Sequence, residues 1–151
     1  MSVRRDFPDI PPVWWAATAL LQLGASLLWP SAILSGPAVA TAGILIGVAG
    51  LALIGWAALW FLRRRTTIEP RDTPTTLIVE GPFRLNRNPI YTGLAAMLVG
   101  WGLWLGSLPA LALALIFPLV ITRRFIREEE ATLRRIFGAE ADHYIAATRR
   151  W

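Results

Sequence analysis

The residues able to do chemistry concentrate in two short stretches. The first is Glu80-Gly81-Pro82-Phe83-Arg84-Leu85-Asn86-Arg87-Asn88-Pro89-Ile90-Tyr91, polar and basic between long apolar runs. Gly81-Pro82 and Asn88-Pro89 punctuate its backbone. Pro89 biases Asn88 away from the helical region and suits the first turn of the helix that follows. The loop therefore brings backbone N–H groups, Arg84 and Arg87 to a helix start, an arrangement suited to an anionic group. The plain structural account is a basic loop beside a membrane. The second stretch is Glu128-Glu129-Glu130, the only acidic cluster in the chain. It lies in a run of helix formers from Arg123 to Phe137, closed by Gly138. Taken alone it reads as a solvated helix face, with four-apart pairs such as Arg124–Glu128 and Glu130–Arg134. Leu133, Ile136 and Phe137 give the same helix an apolar stripe.

The rest of the chain must position these two stretches, and its composition says where. The 151 residues are 55% hydrophobic with a mean hydropathy of +0.50. That suits a small polytopic membrane protein rather than a soluble domain. Cysteine is absent and His143 is the single histidine. Disulfides, thiolate nucleophiles and multi-histidine metal sites are thereby excluded. All 15 basic residues are arginine, and the net charge is +5. The arginines flank apolar segments, so membrane topology accounts for them better than nucleic acid does.

Four apolar runs follow one another, at about 13–34, 38–62, 91–107 and 108–122. The first continues from Val13 to Leu34 without a small-x-small exit, so it reads as a membrane helix, not a signal peptide. Trp14, Trp15 and Trp29 stand at its ends like interfacial anchors, and Trp101 and Trp104 do the same for the third. The second is the longest. Its Gly43 and Gly47 permit close helix approach, either inside the bundle or at a homodimer seam. The fourth is short for a span and contains Pro118; it crosses fully or re-enters. Arg4 and Arg5 precede the first run. Arg63 to Arg65, Arg71, Arg84 and Arg87 lie between the second and third, and Arg123, Arg124 and Arg127 follow the fourth. The turns at Pro30 to Pro37 and Leu105 to Pro109 carry no charge. Four spans with both termini cytoplasmic satisfy this distribution.

Gly81, Phe83, Arg87, Asn88, Pro89 and Tyr91, led in by Thr76 to Val79, resemble a signature of membrane methyltransferases. These are the isoprenylcysteine carboxyl methyltransferase and phospholipid N-methyltransferase type, whose Gly-x-Tyr/Phe-x-x-x-Arg-His-Pro-x-Tyr run binds S-adenosylmethionine. Glu129, Glu130, Leu133, Phe137, Gly138 and Tyr144 resemble the same family's second motif, and Ala141 replaces its first tyrosine. Asn88 stands where the family has His, and it cannot become cationic.

The resemblance implies an all-α membrane protein, one domain over 1–151. It has about four transmembrane helices and a C-terminal helix that continues from the fourth span or lies at the cytoplasmic interface, with cofactor motifs at 76–91 and 123–144. It implies S-adenosylmethionine as cofactor, held by Phe83, Arg84, Leu85, Arg87, Asn88, Pro89, Tyr91, Glu129 and Glu130. Arg87, Asn88, Tyr91 and Glu129 are the residues expected nearest the chemistry. A lipidic or amphiphilic acceptor bearing a carboxylate, amine or thiol would enter from the bilayer. The bacterial inner membrane is the expected location. Two other functions remain open: a nicotinamide-dependent membrane reductase, and a non-enzymatic membrane subunit whose arginines bind anionic headgroups.

Overall fold

Prolines set the helix starts. In the computed structural model, which describes residues 7–29, 34–66 and 74–151, Pro11, Pro37 and Pro89 each begin a helix and Pro109 is second in another. A missing N–H costs nothing at that position. The helices are α1 (Pro11–Leu28), α2 (Pro37–Arg64), α3 (Pro89–Trp104), α4 (Leu108–Ile121), α5 (Arg127–Phe137) and α6 (Ala139–Ala147). A 3-10 turn, Gly81–Arg84, precedes α3, and a π turn, Thr122–Ile126, joins α4 to α5. Among the described residues there is no strand. The arginines at 4, 5 and 71 and the turns around Pro30 and Pro70 lie outside the described residues.

Two helical stretches are long and apolar enough to cross a bilayer, Pro37–Arg64 and Leu108–Phe137, where the sequence suggested four. The other two fall short for identifiable reasons. α1 has 18 residues, two of them prolines, and it carries Gln22. It begins at Pro11 rather than Val13 and ends at Leu28. α3 has 16 residues, or about 24 Å of helix against a hydrocarbon core of about 30 Å. The fourth apolar run ends near Thr122, but its helix continues through the π turn into the charged stretch as far as Phe137, 30 residues in all, one of the two courses open to the C-terminal helix. Only 11% of the apolar window of α2 is covered by protein. Leu45, Val48, Leu51 and Leu59 stand exposed along it. An apolar surface of this extent matches a lipid environment.

α2 and α3 pack antiparallel through glycine. A Cβ on Gly43 would lie 2.5 Å from the carbonyl oxygen of Gly100, and one on Gly93 would lie 2.5 Å from that of Gly50. The pairs are Gly43 with Gly100 and Gly50 with Gly93, so the working spacing on α2 is seven residues, two turns. Gly47 contributes backbone beside Gly100, while its own side-chain direction is open.

α1 is stitched to this hairpin by side chains that donate to backbone carbonyls. Trp15 Nε1 donates to Leu94 O at 3.2 Å, and Trp101 Nε1 to Ala19 O at 3.3 Å. Gln22 Nε2, fully buried, donates to Leu98 O at 2.9 Å and Ala110 O at 2.8 Å. Trp15 and Trp101 are therefore bonded into the bundle, whereas Trp29 and Trp104 remain exposed as anchors. The core gathers Tyr91, Leu98, Phe117, Ile121, Phe125 and Ile126 between α3, α4 and the π turn.

Candidate functional site

The loop before α3 is built around two local devices. Gly81 has φ +59°, and the indole of Trp60 occupies the space a side chain there would need. The 3-10 turn that follows repeats every three residues, so Phe83 and Asn86 both turn inward and are buried. Asn86 Oδ1 then accepts from the Asn88 N–H at 3.0 Å and from Thr92 Oγ1 at 3.3 Å, which bends the chain into α3. Asn88 caps the helix start with its backbone, and Pro89 is the first helical residue.

The π turn performs the matching task for the acidic cluster. It lies between the membrane stretch of α4 and the charged α5, and it shifts the helical register before Glu128. One wall of a cavity of about 300 Å³ is then formed by Glu128, Glu129, Glu130, Thr132 and Leu133. The facing wall is Phe83, Arg87, Asn88, Pro89, Ile90, Tyr91 and Leu94. Pro11, Pro12, Phe61, Pro74, Thr76, Leu77, Ile78 and Tyr144 complete the lining.

The two stretches touch at named atoms. The Tyr91 hydroxyl donates to Glu129 Oε1 at 2.5 Å. Arg87 Nη2 donates to Glu130 Oε1 at 2.9 Å, a pair about nine-tenths buried on each side. Arg87 Nη1 donates to the carbonyls of Ile145 and Thr148 at the end of α6. Arg150 closes on Glu130 with two bonds, Nε to Oε1 at 2.9 Å and Nη2 to Oε2 at 2.7 Å. The bond to Glu130 holds the Arg150 guanidinium above its ordinary pKa. Below the cavity the Tyr144 hydroxyl donates to Phe83 O at 2.9 Å. Burial pushes its pKa well above the usual phenol range, so it remains a donor.

Seven of the residues assigned to cofactor binding line this cavity: Phe83, Arg87, Asn88, Pro89, Tyr91, Glu129 and Glu130. Arg84 and Leu85 do not. They are exposed on the outward side of the 3-10 turn. Arg87 also differs from a free anion clamp, because both its terminal nitrogens are engaged within the protein. Its Nε is buried without a partner. The expected Glu130–Arg134 pair gives way to longer-range ones. Glu130 turns to Arg87 and Arg150, and Arg134 to Asp142. Arg124 meets Asp9. His143 is exposed on α6, outside the cavity lining. Sequence reasoning missed Arg150, for which the chain carries no signal. It also missed Glu128 as a wall residue, although its place in the acidic triplet was a signal.

This donor set fits S-adenosylmethionine. An orphaned guanidinium N–H suits the carboxylate of its amino-acid tail, acidic side chains suit its amino group and ribose, and apolar rings suit its adenine.

A protein-family model described as phospholipid methyltransferase matches residues 39–140. A 62-residue stretch is 40% identical to an uncharacterized protein of Haemophilus influenzae, covering 41% of this chain and 98% of that protein. No solved structure matches the chain. The family match takes in α2, both cavity walls and the residues that join them, and the chain belongs to the phospholipid methyltransferase family.

Proposed function

We propose that the chain is an S-adenosylmethionine-dependent methyltransferase of the membrane, acting on a lipidic or amphiphilic acceptor at the cytoplasmic face. In this reading α1 to α4 all cross the bilayer and both termini are cytoplasmic, α1 and α3 with local thinning. The observation that carries it is the meeting of the two motifs on one cavity, with Tyr91 bonded to Glu129 and Arg87 to Glu130.

The cofactor supplies an activated methyl group on a sulfonium. Arg87, with its Nε–H and one Nη2–H left over in the network, would hold the cofactor's carboxylate. Glu129, with Tyr91 at its side, faces the cationic end. The apolar wall of Phe61, Leu77, Ile78 and Leu94 excludes water from a reaction in which charge is lost from sulfur. Positioning supplies much of the rate for an in-line transfer. A carboxylate acceptor needs no base. An amine acceptor gives up a proton, and the Glu129–Tyr91 pair stands within the cavity to take it. Asn88 donates its side-chain amide to the Arg150 carbonyl and brings no titrating group to the site.

Equilibrium binding to the purified chain in detergent tests the cofactor. S-adenosylhomocysteine should bind and NADPH should not. NADPH alone binding would make the chain a reductase, and binding of neither would make it a non-enzymatic lipid-binding subunit. Labelled S-adenosylmethionine incubated with the chain and a membrane lipid extract then identifies the acceptor.

A further inference from the structure

The four residues after α6 run alongside the cofactor loop and tie into three separate elements. The Thr148 carbonyl accepts from the Arg87 side chain, and the Arg149 carbonyl from the Arg87 N–H at 2.8 Å. The Arg150 carbonyl accepts from Asn88 Nδ2 at 3.0 Å. The Arg150 side chain forks onto Glu130, and Trp151 Nε1 donates to Thr122 Oγ1 at 3.3 Å. Trp151 also packs against the core around the π turn. Asn88, the residue that departs from the family signature, thus spends its side chain on this segment.

Arg150 is the keystone of this arrangement. It occupies both oxygens of Glu130, while Arg87 shares Oε1. One carboxylate therefore fixes two guanidinium groups, and a bidentate fork defines its plane. Held from that side, Arg87 has its Nε–H and one Nη2–H left to offer. A binding group needs its own rotamer locked by such a supporting contact. Resting on the methyltransferase reading, we propose that Arg150 is a positioning residue: through Glu130 it orients Arg87, and with it residues 148–151 latch the loop at Arg87 and Asn88 in place.

The test uses the full chain in lipid nanodiscs. Because the chain has no cysteine, Thr148→Cys gives a single reporter, first checked to bind S-adenosylhomocysteine as wild type does. Adding Arg150→Gln should raise the rate of maleimide labelling at least tenfold. Arg150→Lys, which keeps the charge but loses the fork, should fall between. In the chain without the reporter, Arg150→Gln should weaken S-adenosylhomocysteine about tenfold, or about 1.4 kcal/mol, and Arg150→Lys should restore part of that. Labelling unchanged by Arg150→Gln overturns the latch. Affinity unchanged by Arg150→Gln overturns the positioning role. A wild-type chain that binds no S-adenosylhomocysteine refutes the methyltransferase reading and the positioning role with it, while the labelling rates still decide the latch.

Discussion

Replacing Gly93 by alanine should weaken cofactor binding although Gly93 lines no part of the cavity. The new Cβ would lie 2.5 Å from the Gly50 carbonyl oxygen and 2.5 Å from Ile54 Cγ1. Ordinary contact begins near 3.4 Å, so α2 and α3 must part by about 0.9 Å at this level. Ile54 can rotate, but the Gly50 oxygen belongs to a helix ladder and cannot. Overpacking of this kind costs about 1–3 kcal/mol, offset by up to about 1 kcal/mol of helix propensity gained over glycine. The parting moves Phe61, on α2, away from Tyr91 and Leu94, on α3, and all three line the cavity. A displacement of about 1 Å in a positioned site costs up to about a hundredfold in rate. We expect S-adenosylhomocysteine affinity, measured by titration calorimetry in detergent, to fall about tenfold. Gly47→Ala, whose Cβ meets nothing within 4 Å, is the matched control and should bind as wild type does. Wild-type affinity in Gly93→Ala would refute the argument that the glycine seam sets the cavity width.

Three further outcomes follow from the site and the topology. A single cysteine at the exposed Ser35 should label from outside the cell and one at Thr148 should not; the reverse pattern inverts the topology. Asn88→Leu should lose about tenfold in S-adenosylhomocysteine affinity by freeing the Arg150 carbonyl, whereas Asn88→His should keep activity without a new ionisation between about pH 5 and 8 in its pH–rate profile. Deleting Arg123 should turn the π turn into ordinary helix, rotate Glu129 and Glu130 by about 100° and abolish cofactor binding, with helical content by circular dichroism unchanged; retained binding would show that the turn does not set the register.

The helices and much of the cavity were legible because local chemistry encodes them. Proline marked the helix starts at Pro37 and Pro89, and apolar runs marked the extent of α2 and α4. The two motifs named seven cavity residues because each motif is contiguous. Arg84 and Leu85 belong to the same motif yet point outward, because a 3-10 turn repeats every three residues and nothing in the composition distinguishes that turn from a loop. The partners of Arg87 were illegible for another reason. Two of them are backbone carbonyls, of residues 145 and 148, and a carbonyl has no letter in the sequence. The pairing of Glu130 with Arg150, 20 residues away, rather than Arg134, four away, depends on the reversal of the chain at Gly138. Helical periodicity alone favours the near partner.

The stitching of α1 has a consequence for how such a chain can change over generations. α1 precedes residue 39 and so lies outside the part matched to the family. Two of its side chains grip carbonyls of α3 and α4, and Trp101 on α3 grips a carbonyl of α1 in return. Carbonyls persist through any substitution that keeps the helix, so the acceptors at Leu94, Leu98 and Ala110 do not depend on side-chain identity, although packing fixes the buried Leu98 and Ala110. The side-chain identities on which these bonds depend are those of the donors Trp15, Gln22 and Trp101. The first helix is in that sense fastened by three letters, and because its Pro11 and Pro12 also line the cavity, loosening those three donors would be felt at the cavity mouth as well as in the bundle.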